Sequence, residues 1–388
     1  MFKKISTVLA VAALTVATVA TAAQISEGHP DAYVVRKGDT LWDISARFLK
    51  KPWLWPEIWQ ANPQIKNPHL IYPGDVISLA YLDRVAVQPG PRQEAPVTGV
   101  PLSDVEPFLK NLRVVDSYEH LPRVVGLEDN RLRASGGQLV YVLGQDDAQP
   151  GQRYALLRPT LRYTQTRVNS SGEYLSYHED LDYRGQRLKG VTADVERGWT
   201  TSALAEGPLE LLGYEMKQVA VGTVTRGRVP GSDTITLQLE GNGFEARTGD
   251  RIVPVEAQPY DLQFFPHAPK VSLPEGKLQV AAVADAILAA GPRDVVAISG
   301  GIRDGIDNGT VFSVWRRGSH VKDRLRHPES SVDDDAKYHG AGRIALPDEY
   351  AAHVMVFRTF DKVSYALVME GTKPAKVGYE LKHPDATY

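Results

Sequence analysis

Two glycine-aspartate turns, Lys37-Gly38-Asp39 and Pro73-Gly74-Asp75, bracket the stretch from Tyr33 to Leu79 and leave it few ways to fold. A short apolar run, Tyr33-Val34-Val35, stops at Lys37-Gly38. Asp39 then reads as an N-cap, and Leu41, Trp42, Ile44, Ser45 and Phe48 follow at helical spacing. A second helix is expected from Pro52 to about Ala61, with Trp55, Ile58 and Trp59 on one face and Asn62-Pro63 closing it. Asn67-Pro68-His69 leads through Leu70, Ile71 and Tyr72 to the second turn, and residues 75–79 alternate as a returning strand. The pattern is β-α-α-β. Four of the chain's six tryptophans fall here (Trp42, Trp53, Trp55 and Trp59). A core this small needs large side chains. Trp42 and Trp59 are therefore expected inside, and Trp53 at the surface.

At Gly38-Asp39-Thr40-Leu41-Trp42 and Ile71-Tyr72-Pro73-Gly74-Asp75-Val76-Ile77 this module, residues 32–80, resembles the LysM family. The resemblance implies binding of peptidoglycan or other N-acetylglucosamine polymers in a shallow groove between the loop after strand one and the loop before strand two. It assigns Gly38, Asp39, Thr40, Leu41, His69, Leu70 and Ile71 to glycan contacts, mostly through backbone amides. The long run Lys50-Lys51-Pro52-Trp53-Leu54-Trp55-Pro56 departs from the family pattern and is expected to reshape one groove wall.

The 388 residues, 43% apolar and 23% charged, allow two or three domains of ordinary globular composition. Lys3-Lys4, the apolar run 5–20 and Ala20-Thr21-Ala22 read as a signal peptide, residues 1–22, with Ala23 or Gln24 as the new amino terminus. The alternative, a retained anchor, is disfavoured because the apolar run falls short of the ~20 residues a membrane span needs. Cleavage removes Lys3 and Lys4, which leaves the protein two charges below the net −3 of the whole sequence. A negative balance argues against non-specific nucleic-acid binding. With no cysteine, disulfides, acylation and thiolate catalysis are excluded.

Residues 83–102 are proline-rich and poor in large apolar side chains, as in an extended linker, so the module is expected to be tethered rather than packed. A short helical segment, 103–120, follows, starting at Ser103-Asp104 with Glu106 three residues on. Beyond Leu121, short apolar runs cut by Gly, Pro, Asn and Asp predict a mainly β region of barrels or sandwiches. The fold class is thus α+β. The chain also resembles itself: Gly151–Arg158 parallels Gly309–Arg316, Gly222-Thr223-Val224 parallels Gly342-Arg343-Ile344, and Thr248–Ile252 parallels Val377–Leu381. Two related β units are therefore expected, 121–258 and 270–388, the first carrying a polar, tyrosine-rich insertion at 160–208. The alanine-rich run Leu278–Ile287 is read as a strand because Pro and Gly flank it.

A wall-binding module could target an enzyme, but no catalytic set emerges. The ten histidines contain no His-x-His pair for a wall zinc peptidase. Glu329-Ser330 lies in a polar run rather than at the end of an apolar helix, and Gly-x-Ser-x-Gly is missing. Asp333-Asp334-Asp335 with His327 and His339, and Glu179, Asp180 and Asp182 beside His178, read as solvated acidic loops in preference to metal sites. Asp304-Gly305-Ile306-Asp307-Asn308-Gly309 reads as a pair of glycine turns. The expectation is a non-enzyme with no catalytic residues, metal or cofactor.

The order of segments, with Ile298–Gly309 and Val356–Met369, resembles a family of LysM proteins associated with type IV pilus secretins, whose carboxy-terminal domain is related to one in flagella. The resemblance implies a periplasmic adaptor binding peptidoglycan and an outer-membrane secretin, with copies of the chain arranged around the secretin ring. A LysM-targeted hydrolase, or an envelope scaffold for flagella or a type II secretion system, are the other readings.

Overall fold

The computed structural model describes residues 30–65, 71–79, 102–166, 176–181, 209–241, 243–255, 265–284, 289–328 and 343–387. The expected signal peptide and most of the expected linker lie outside these residues. The amino-terminal module consists of β1 (Ala32–Val34), α1 (Leu41–Phe48), a 3-10 turn (Pro52–Leu54), α2 (Trp55–Gln60) and β2 (Val76–Ser78), with β1 and β2 antiparallel. Helix α3 (Leu102–Asn111) runs directly into β3 (Leu112–Val115).

Two closed antiparallel barrels follow. The first is made of β4 (Arg123–Leu127), β5 (Leu139–Leu143), β6 (Arg153–Thr166), β8 (Leu209–Arg226), β9 (Thr234–Leu239) and β10 (Arg251–Pro254), with β7 (Ser176–Asp180) inserted between β6 and β8. The strands close in the ring order β4-β5-β9-β8-β6-β10. The second uses β11 (Val280–Val283), β12 (Val295–Ile298), β13 (Val311–Arg316), β16 (Glu349–Thr359), β17 (Ser364–Gly371) and β18 (Glu380–Lys382), with a ribbon of β14 (His320–Lys322) and β15 (Arg343–Ala345) inserted between β13 and β16. Its ring order is β11-β12-β17-β16-β13-β18, the same circuit strand for strand.

The equivalence extends to single hydrogen bonds. Barrel one closes through Val124 N to Asp250 O, Gly249 N to Val124 O and Ile252 N to Pro122 O, at 2.8, 2.8 and 2.9 Å. Barrel two closes through Val280 N to Tyr379 O, Gly378 N to Val280 O and Leu381 N to Leu278 O, at 2.9, 2.8 and 2.9 Å. One expected pairing is corrected. Gly222 faces Tyr154 in barrel one as Val354 faces Phe312 in barrel two, so Gly222 matches Val354, whereas Arg343 and Ile344 belong to the ribbon. A Gly-x-aliphatic triplet signals extended chain but no register; the long ladder sets the register.

The same four-residue turn recurs in every unit. At Arg36–Asp39, Tyr72–Asp75, Ser135–Gln138, Gln149–Gln152, Arg247–Asp250, Gly291–Asp294 and Asp307–Thr310 the last residue's N–H donates to the first residue's carbonyl. In each, its side chain accepts from the first residue's N–H. The third position has positive φ, which suits glycine; at Gly291–Asp294 it is Arg293, φ 76°.

Strands β6 and β8 overrun the first barrel, pairing on from Leu161↔Glu215 to Thr166↔Leu209. With β7 on one edge and β3 on the other they form a four-stranded arm. Leu161, Tyr163 and Leu212 on the arm pack in one core with Val105, Phe108 and Leu109 of α3 and with Val295, Ala297, Phe357 and Tyr365 of barrel two. Val296 and Ile298 point the other way, into the barrel. Burial on both faces explains why β11 and β12 read as unbroken apolar runs, and the alanines of β11 admit the close neighbour. The start of the segment read as a polar insertion is therefore core, and His178, Glu179 and Asp180, read as part of a solvated loop, lie in strand β7, while Asp182 lies outside the described residues.

A buried carboxylate pins arm to barrel. Glu215, fully buried, accepts from Thr160 Oγ1 at 2.7 Å, Tyr163 Oη at 2.8 Å and Tyr365 Oη at 2.9 Å. Burial first, and the Glu215 charge second, push both tyrosine hydroxyls well above their usual 10.0. Arg358 donates to the carbonyls of Phe108, Leu109 and Leu112, neutralising the carboxy-terminal end of α3.

Candidate functional site

The site begins at the first glycine turn. Gly38 has φ +89° and is exposed, and a β-carbon there would meet nothing within 4 Å. Asp39, 5% exposed, is fully engaged beneath it: Oδ2 accepts from Arg36 N and from Tyr33 Oη, both at 2.7 Å, and Oδ1 from Arg47 Nη2 at 3.0 Å. Burial, then Asp39, raises the Tyr33 hydroxyl above its usual range. The N-cap of α1 is Thr40, not Asp39. Thr40 is extended, and its Oγ1 accepts from Asp43 N while Asp43 Oδ2 accepts from Thr40 N, each at 3.0 Å. Thr-x-x-Asp closes a capping box that Asp39 is one residue too early to make.

The second turn is tied to the first. Gly74, φ +91°, donates to Val35 O at 2.8 Å, and Val35 N donates to Asp75 O at 2.8 Å. Leu41 and Ile71 are 0% and 1% exposed and form the floor between the turns. His69 and Leu70 lie outside the described residues. Sequence reasoning missed Asn62, which has no exposed surface and bonds Ile58 O, Ser78 O and Ser78 N at 2.7, 2.9 and 2.8 Å, fastening α2 to β2. Its signal was Asn-Pro after a helix, read only as a stop.

The tryptophan face of the module packs against the carboxy-terminal region instead of hanging on a tether. Trp53, expected at the surface, is 5% exposed and lies 4.8 Å from the His353 ring of β16. Trp59 stacks on Phe265 at 5.3 Å and 13°, Trp55 lies 5.8 Å from the same ring, and Lys51 Nζ bonds Asp385 Oδ2 at 2.6 Å. His353 is fixed by Tyr350 Oη on Nδ1 at 2.7 Å and by donation from Nε2 to Pro384 O at 3.2 Å. The run that departs from the family pattern, Lys50–Pro56, thus supplies this docking face.

Elsewhere, carboxylates that could invite a metal already have partners. Asp304 accepts from Lys277 Nζ at 2.6 Å, and Asp307 is held by Lys270 and Thr310, whose hydrogen bonds keep it below its usual range against the opposing effect of burial. Gly305 and Gly309, φ +76° and +95°, are turns. His327 is exposed; the other members of that acidic cluster lie outside the described residues.

Residues 33–80, the β-α-α-β module with its cross-tied glycine turns, match the LysM domain, a module that binds N-acetylglucosamine glycans of peptidoglycan. A curated relative, the uncharacterized protein YqbP of Bacillus subtilis (strain 168), is 34% identical over 64 residues, covering 14% of this chain and 29% of its own length. The chain therefore spans under a third of that relative.

Proposed function

We propose that this chain is a non-enzymatic periplasmic adaptor that binds peptidoglycan through residues 33–80 and anchors an outer-membrane secretin of a type IV pilus machine to the cell wall. The observation carrying the reading is the LysM match on a module whose two turns are tied together, with Gly38 exposed on the first of them. Gly38, Asp39, Thr40, Leu41, His69, Leu70 and Ile71 contact the glycan. For Leu41 and Ile71 the contact is through the backbone, because their side chains are buried; the Asp39 and Thr40 N–H groups already donate to Arg36 O and Asp43 Oδ2, so these two residues hold the turn that presents Gly38. The twin barrels hold the secretin. Because the module packs on barrel two, glycan and secretin sites keep one orientation, and a pull on one reaches the other without slack.

Sedimentation of the full chain with insoluble peptidoglycan tests the first half: soluble N-acetylglucosamine oligomers should release it, and retention indifferent to them would overturn glycan binding. Deleting the module is the poorer test, because it uncovers His353 and Phe265. Crosslinking in cells tests the second half; a ring-forming outer-membrane protein absent from the crosslinked product would overturn it.

A further inference from the structure

Barrel two carries a feature that neither glycan nor barrel closure uses. In the β14–β15 ribbon, Val321 faces Ile344 and Lys322 faces Arg343, and the ladder continues through Leu346 N to Ser319 O at 2.9 Å. Residues directly opposite share a face, and the faces alternate along each strand. One face therefore presents Val321, Ile344 and Leu346; the other turns His320, 9% exposed, inward. Ile344 and Leu346 are 52% and 45% exposed.

Past β14 the chain makes a tight turn on Asp323. Its carbonyl accepts from Arg326 N and His327 N at 3.1 and 2.9 Å, and its Oδ1 from Leu325 N at 3.0 Å. The turn holds Leu325, 96% exposed, out in water between Arg324 and Arg326. From Arg316 to His327 the chain carries five basic residues and one acid, Asp323, on a protein whose net charge is −3; Arg316 is paired with Glu349 at 3.3 Å and Asp348 lies against Gly318, so the cationic rim is that of Lys322, Arg324 and Arg326. Residues 329–342, which include Glu329 and Asp333–Asp335, lie outside the described residues.

We propose that this ribbon and its turn form a peripheral docking surface for an anionic phospholipid membrane, with Leu325, Ile344 and Leu346 entering the headgroup boundary and the flanking arginines meeting lipid phosphates. Aliphatic side chains held in water beside a cationic rim fit a lipid interface, where both gain. A nucleic acid would use the arginines but would leave the aliphatics unrewarded, since its bases stack on aromatic rings.

Flotation of the full chain with vesicles tests this. Phosphatidylcholine vesicles containing phosphatidylglycerol should carry it, vesicles of phosphatidylcholine alone should not, and added salt should release it. Leu325→Ser combined with Ile344→Ser should lower partitioning about tenfold or more, and Arg324→Glu with Arg326→Glu should do the same. Equal capture on neutral vesicles, no capture on either, or serine variants that float like the wild type would overturn the proposal. So would capture by double-stranded DNA indifferent to Leu325→Ser. A thermal melt of each variant checks the fold, and if one is destabilised the wild-type vesicle pair still decides.

Discussion

Barrel one and barrel two follow the same strand circuit but differ in what they insert between their third and fourth strands. Barrel one extends its own strands into an arm that buries Tyr163 and Glu215 against its neighbour. Barrel two inserts a short ribbon that keeps Ile344 in water, and offers its outer wall to the arm, to α3 and to the tryptophans of the LysM module. A closed ring has no free edge, so it tolerates different attachments without losing its ladder. What distinguishes the units is therefore at their margins, and the sharpest tests lie there.

The largest effect is expected at the node joining the two barrels. Glu215→Ala leaves the buried hydroxyls of Thr160, Tyr163 and Tyr365 without their shared acceptor, a cost of about 4 kcal/mol. Chemical denaturation, expected to be a single transition in the wild type, should split in two in the variant as the barrels uncouple; an unsplit curve at wild-type stability would show that the node does not couple them. Next comes Trp53→Ala, expected to cost about 3 kcal/mol through lost burial against His353. It should free the LysM module to limited proteolysis while leaving peptidoglycan retention intact, because Gly38 lies on the turn rather than on the tryptophan face.

Alkaline titration probes the same inter-barrel contact more gently. The folded state holds the protons of Tyr163 and Tyr365 that the unfolded chain releases above about pH 10. Stability from this node is therefore complete below that pH and falls as pH rises through the raised values, by about 1.4 kcal/mol per pH unit for each proton. Tyr365→Phe should flatten the fall measured by thermal melts in alkaline buffer. The smallest effect compares equivalent turns: Gly137, φ +86°, sits where barrel two has Arg293. Gly137→Ala should cost about 1 kcal/mol by urea titration, all of it backbone strain, because its β-carbon meets nothing within 4 Å.

Much of this was legible along the chain. The alanine run around Val280 was rightly read as a strand from its Pro and Gly flanks. The glycine turns announced both the module and the duplication. What stayed hidden depends on partners far away in sequence. Tyr163 among polar residues looks solvated until Glu215 and Tyr365 are placed beside it, and Trp53 looks exposed until His353 arrives. Asp39 was misassigned because Asp and Thr are both good caps, and only the position of Asp43 decides between them. The recurrent turn, with an acceptor side chain one residue past a glycine, was a usable signal that went unread. It marks four strand starts across the two barrels besides the two turns of the module; a fifth has Arg293 in the glycine's place.

The bond between Lys51 and Asp385 joins residues 334 positions apart. A chain made from its amino end completes the LysM module early, yet Trp55 and Trp59 must wait in water until Phe265 has been synthesised, and Trp53 until β16 has. A truncated or stalled molecule would therefore show a ready-made patch of indole to chaperones and proteases. Only a chain that has been made past β16 hides it, so the docking face also reports that both barrels are in place.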